Sequence, residues 1–144
     1  MSIFHIIDDE PEIREVLKTM ATALGYDVRI FNSADSYVRF ISSSEYRAPT
    51  AILTDNIMPE TTGYELISTI RNINPLQKIA MISGTPDSTH QDSSELCYLL
   101  GKPFRMDDLK KLLEALEGCH TEISDGQYAE TCKFGLQHHC PFSS

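Results

Sequence analysis

A chain of 144 residues with 41% apolar and 23% charged side chains is long enough for one domain with a modest tail, and balanced enough to bury a core. Its formal charge of −9, with no run of Lys or Arg, excludes direct binding to a nucleic-acid backbone, which needs clustered cations to displace counterions. The apolar run near the N-terminus turns acidic too soon for a signal peptide, and no stretch approaches the ~20 apolar residues of a membrane span, so a cytoplasmic protein is expected. The four cysteines do not form a disulfide framework, because Cys97 lies in an apolar stretch while Cys119, Cys132 and Cys140 share the tail; reduced thiols are expected.

In chain order, Ile3 to Ile7 is a continuous apolar run ending in Asp8-Asp9-Glu10, the pattern of a buried parallel strand that enters a polar loop. His5 lies inside that run as a packed core residue. Pro11 fits a first helical turn, and Ile13, Val16, Leu17, Met20 and Leu24 recur at helical spacing until Gly25 stops the helix. Val28 to Phe31 predicts a second strand, and Ser33 caps a helix carrying Tyr37, Val38, Phe40 and Ile41. Ala51 to Thr54 is a third strand, followed by a helix through Tyr64, Leu66, Ile67 and Ile70, and Ile79 to Ile82 is a fourth.

The next segment, 84 to 95, is rich in Ser, Thr and Asp with almost no apolar face, and predicts only a short, weakly held helix. Leu96 to Leu100 reads as a fifth strand broken by Gly101-Lys102-Pro103. Leu109, Leu112, Leu113 and Leu116 then give an amphipathic last helix expected to end at Gly118. Five strand-helix units imply a five-stranded, doubly wound parallel sheet with helices on both faces, whose functional crevice lies beyond the carboxyl ends of the strands.

That edge collects Asp8 and Asp9 after the first strand, Asp55 after the third, Ser83 after the fourth and Lys102 after the fifth. Each alone has a plainer reading: Asp55 and Ser83 as turn residues, Asp8 and Asp9 as a helix start, Lys102 as a solvated loop lysine. Together they crowd carboxylates that need a cation, and oxygen ligands without His or Cys favour Mg²⁺, with Mn²⁺ possible, over zinc. Metal, ammonium and hydroxyl are what a transferring phosphoryl group requires, and a carboxylate such as Asp55 can accept one as an aspartyl phosphate.

Over residues 1 to 118 the sequence resembles the receiver domain of two-component response regulators, through the acidic pair Asp8-Asp9, "TDNIMPETTG" around Asp55, "MIS" ending in Ser83 and "GKPF" with Lys102. The resemblance implies the flavodoxin-like receiver fold. It implies that Asp55 takes a phosphoryl group from the phosphohistidine of a sensor histidine kinase or phosphotransfer protein, and that the chain signals by conformational change rather than by turnover. It also implies that Asp9 and Asp55, with the carbonyl of Ile57, ligate Mg²⁺ with Asp8 acting through water, while Ser83 and Lys102 contact the phosphoryl oxygens. Two other readings stand beside it: a phosphorylation-independent interaction module and a flavodoxin-like enzyme. The downstream protein partner is not named by the sequence.

Two departures from the receiver pattern carry their own expectations. The usual switch aromatic is replaced by Leu99, with Tyr98 beside it, so phosphorylation is expected to order residues 84 to 96 rather than turn a ring. Ile57 offers nothing polar to orient water, so self-dephosphorylation is expected to be slow, although Gly84 leaves access open. The tail, 119 to 144, has too few apolar residues for a second core. Its Cys119, His120, Cys132, His138, His139 and Cys140 match no common zinc spacing, and a disordered tail or a cut end is expected over a structural zinc site.

Overall fold

The computed structural model describes residues 2–55, 62–74, 77–83, 98–102 and 104–124. Its elements are β1 (Ile3–Ile7), α1 (Pro11–Ala23), β2 (Asp27–Phe31), α2 (Ala34–Ile41), β3 (Ala51–Asp55), α3 (Gly63–Ile73), β4 (Ile79–Ser83), β5 (Tyr98–Gly101) and α4 (Met106–Ser124). The weak helix expected over 84 to 95 lies outside the described residues, as do Gly84, Ile57 and the tail from 125 onward.

All four strand pairings are parallel, in the order β2-β1-β3-β4-β5. The chain steps from β1 outward to β2, then returns past β1 to lay β3 on its other side, so the winding reverses between β1 and β3. Side chains alternate along each strand. Phe4, Ile6, Ala51, Leu53, Ala80 and Ile82 pack under α1 and α4, against Leu17, Leu109, Leu113 and Leu116. The intervening Ile7, Ile52, Ile79 and Met81 face α2 and α3, against Tyr37, Phe40, Leu66 and Ile67. Burial on both faces explains why the strands read as continuous apolar runs.

Local chemistry sets the boundaries. Pro11 opens α1, where its missing N–H leaves no bond unmade, and Gly25 follows the helix at φ 94°, a left-handed conformation that glycine adopts without strain. Ser33 caps α2 by accepting from the Ser36 N–H at 3.1 Å, and Thr62 caps α3 by accepting from the Glu65 N–H at 3.1 Å. Where the sequence predicted an end at Gly118, α4 continues to Ser124. A glycine inside a helix is unfavourable by only about 1 kcal/mol relative to alanine, and no proline follows to stop the propagation. The fifth strand also runs to Gly101, paired with Ser83, one residue beyond the expected Leu100. Among the described residues no helix is long and apolar enough to cross a membrane.

His5 is a packed core residue, as expected. It is 2% exposed, its Nδ1 lies 2.8 Å from the Tyr37 hydroxyl, and the rings of Phe31, Tyr37 and Phe40 stand edge-on around it. Burial, with the nearby Arg29 charge adding to it, lowers the His5 pKa to about 4, so the ring is neutral at pH 7.

Candidate functional site

The carboxyl ends of β1, β3 and β5 bring Asp8, Asp55 and Lys102 together. Asp8 follows the last residue of β1, Asp55 closes β3, and Lys102 follows β5 directly. Asp8 and Asp55 are 1% and 5% exposed, and the Lys102 side chain is 15% exposed. The Lys102 Nζ stands 3.4 Å from Asp8 Oδ2, 3.4 Å from Glu10 Oε1 and 3.6 Å from Asp55 Oδ1. Asp9 joins them: Asp8, Asp9, Glu10 and Asp55 each offer a carboxylate oxygen, all within 4.8 Å of one another.

The backbone holds this group in place. The Asp8 N–H donates to the Phe31 carbonyl at 3.1 Å, tying the loop to the end of β2. The Asp8 carbonyl accepts from Arg14 of α1 at 2.8 Å, while its carboxylate Oδ1 accepts the Glu10 N–H at 2.8 Å. Thr54 donates its hydroxyl to the Asp55 carbonyl at 3.1 Å.

Electrostatics show what the pocket lacks. Burial raises the Asp8 carboxyl above its ordinary range, although the Glu10 N–H and the Lys102 ammonium pull in the other direction. Burial would lower the Lys102 pKa, but Asp8, Asp55 and Glu10 outweigh it and hold the ammonium above its usual value. Among the described residues four carboxylates thus face one ammonium, an imbalance that a small, hard divalent cation relieves through oxygen ligands alone. In general, a carboxylate can act as a nucleophile towards phosphorus, and an ammonium beside it can neutralise phosphoryl oxygens.

Of the residues predicted from sequence, Asp8, Asp9, Asp55 and Lys102 come together. Ser83 closes β4 opposite Gly101, at the same edge of the sheet. Ile57 lies outside the described residues, so neither its expected carbonyl ligand nor the slow dephosphorylation attached to it is placed. Residues 84 to 96, expected to order on phosphorylation, are outside as well, and Tyr98 and Leu99 are described only as members of β5. Sequence reasoning took Glu10 for part of a polar loop and missed its contact with Lys102. Its place directly after the acidic pair and before Pro11 was the available signal. It also passed over Arg14, which stands at the turn of α1 nearest the pocket.

A parallel, doubly wound sheet with an acidic pocket and a lysine at its carboxyl edge places the chain among the doubly wound αβ domains, whose sites lie at that edge. Within that class the comparisons are specific: residues 4–114 match the family model described as the response regulator receiver domain, and the chain belongs to that family. It is 31% identical over 118 residues to the response regulator receiver protein CpdR of Brucella abortus, covering 77% of this chain and 92% of that protein. It is 32% identical over 138 residues to the two-component response regulator ORR1 of Oryza sativa subsp. indica, covering 85% of this chain but 59% of the rice protein. The chain thus spans between half and three fifths of the rice regulators it matches. Among solved structures, the response regulator TrrA of Thermotoga maritima, in complex with Mg²⁺ and BeF, superposes with a TM-score of 0.70 at 26% identity, covering 81% of this chain and 99% of that one. The chain is therefore a receiver domain of two-component signalling, homologous to phosphoacceptor response regulators; members of the family are in general switches rather than turnover enzymes.

Proposed function

We propose that Asp55 is the phosphoacceptor. A carboxylate oxygen attacks the phosphorus of a phosphohistidine on a histidine kinase or phosphotransfer protein. The P–N bond breaks, and the imidazole leaves with the electron pair and recovers a proton, which leaves an aspartyl phosphate. The observation that carries this reading is the Lys102 ammonium held among Asp55, Asp8 and Glu10 in a largely buried pocket. It stands beside Asp55 Oδ1, where a positive charge neutralises phosphoryl oxygens.

The donor set fits Mg²⁺. Asp9, Asp55 and the Ile57 carbonyl would ligate it directly and Asp8 through water, and the ion would supply charge neutralisation between the carboxylates and the phosphoryl oxygens. Ser83 and Lys102 would contact those oxygens. The receiver unit would run to the end of α4 at Ser124, past the boundary at 118 expected from the sequence, with a tail after it, and the protein would work in the cytoplasm, passing its state to a protein partner through a change of conformation.

The test is intact mass after incubation with acetyl phosphate, with and without Mg²⁺, for the wild type and Asp55→Ala. Acetyl phosphate donates by P–O cleavage with acetate leaving. A single phosphoryl adduct that requires both Mg²⁺ and Asp55 is expected. A folded wild type that takes up no adduct overturns the reading in favour of a constitutive interaction module.

A further inference from the structure

We propose that Glu10 is a positioning residue for phosphoryl transfer: its exposed carboxylate holds the Lys102 ammonium in the resting pocket and is the partner that yields it to the incoming phosphoryl oxygens. The inference rests on the phosphoacceptor reading above and identifies a brake on its rate.

An ammonium has three N–H donors, and Lys102 Nζ has three carboxylates around it, at 3.4 Å from Asp8 and Glu10 and 3.6 Å from Asp55. Asp8 and Glu10 lie within hydrogen-bond distance of it at rest, and Asp55 stands just beyond. A phosphoryl group arriving on Asp55 brings oxygens that draw the same ammonium towards Asp55 and away from the two partners that it is bonded to. The three carboxylates are not equal. Asp8 is buried, and moving the ammonium away from it strands a carboxylate with little access to water, whereas Asp55 passes its own charge to the phosphoryl oxygens that it carries. The Glu10 side chain is 59% exposed and rehydrates as soon as it lets go.

The contact is nevertheless built in by the fold. The Glu10 N–H donates to Asp8 Oδ1 at 2.8 Å and Pro11 restricts the following backbone, so the side chain starts beside the lysine. Pairing with Glu10 stabilises the resting site and not the transition state, which slows the transfer. Exposed ion pairs are weak, so the brake is a modest one of about two- to fivefold.

The experiment measures adduct formation from acetyl phosphate at saturating Mg²⁺ and low ionic strength, in the wild type, Glu10→Gln and Glu10→Asp, with the Mg²⁺ affinity of each determined by calorimetry. Aspartate keeps the charge but is one methylene too short to hold the ammonium. The expected result is that both variants react about two- to fivefold faster, and that Glu10→Asp retains the wild-type Mg²⁺ affinity. Acceleration in Glu10→Gln alone overturns the proposal, because removal of general negative charge then accounts for it. Slower transfer with weakened Mg²⁺ affinity overturns it by making Glu10 a metal ligand, and unchanged rates in both variants overturn it outright. Failure of the phosphoacceptor reading is seen separately, as a wild type that forms no Asp55 adduct, and takes this inference with it.

Discussion

Acidification from pH 7 towards pH 4 is expected to remove about 3 kcal/mol of folding stability through His5, whose pKa falls from 6.5 to about 4 on folding, at 1.36 kcal/mol for each pH unit between them. The cause is burial first and the Arg29 charge second. The folded ring stays neutral, with Nδ1 hydrogen-bonded to the Tyr37 hydroxyl, while the unfolded chain takes up a proton below pH 6.5. Because the unfolded state binds more protons in this window, the stabilisation is complete above pH 6.5 and is lost as the pH falls to about 4. By pH 4.5 the loss from this group is about 2.5 kcal/mol. Asp8 acts with the opposite sign: its raised folded pKa makes the folded state take up that proton first, which favours folding as the pH falls. A comparison that holds Asp8 constant therefore isolates the histidine. Urea unfolding in EDTA at pH 7.5, 6.0 and 4.5 should be compared between the wild type and His5→Leu/Tyr37→Phe, in which both partners become apolar and neither strands the other. The variant's stability should fall by about 2.5 kcal/mol less across this range. Curves that run parallel to within about 0.5 kcal/mol would refute the assignment of acid sensitivity to His5.

Lys102→Met should slow formation of the Asp55 adduct by about a hundredfold or more, as expected for losing a preorganised charge at the developing phosphoryl oxygens; intact mass over time measures it, and a loss under tenfold contradicts the role. Asp8→Asn should stabilise the metal-free protein by about 0.5–2 kcal/mol in urea unfolding, since it removes a carboxylate whose ionised form burial disfavours, and should weaken Mg²⁺ binding in the same preparation. Ser33→Ala should reduce stability by about 1 kcal/mol, because the Ser36 N–H at the start of α2 loses its acceptor; an unchanged urea midpoint would show that water replaces the cap.

The strands were legible because both faces of the sheet are covered, so Ala51 to Leu53 and Ile79 to Ile82 carry apolar side chains without interruption, and Ile3 to Ile7 does so around His5. Asp8, Asp55 and Lys102 were legible for the same reason: each breaks or follows an apolar run, and parallel winding brings such breaks to one edge. Glu10 was not, since an acid before a proline at a helix start has an adequate local explanation, and only the position of a lysine 92 residues away gives it another. The His5–Tyr37 bond was equally hidden, because periodicity assigns each to a buried face without saying which residues meet across it. The far end of α4 was misjudged because one glycine is a weak stop when nothing downstream reinforces it.

The Asp8–Lys102 contact joins residues 94 positions apart, across a sheet in which every neighbouring pair of strands needs a crossover. The pocket therefore assembles by stages: a chain that has made its helices and paired β1 with β2 still lacks Asp55, and one that has added β3 holds the carboxylates but still lacks the lysine. Divalent-ion binding during refolding is on this account an intermediate event. Followed in a stopped-flow experiment, it should trail the recovery of helical signal and mark the moment at which β3 docks beside β1, ahead of the loop closure that brings in Lys102.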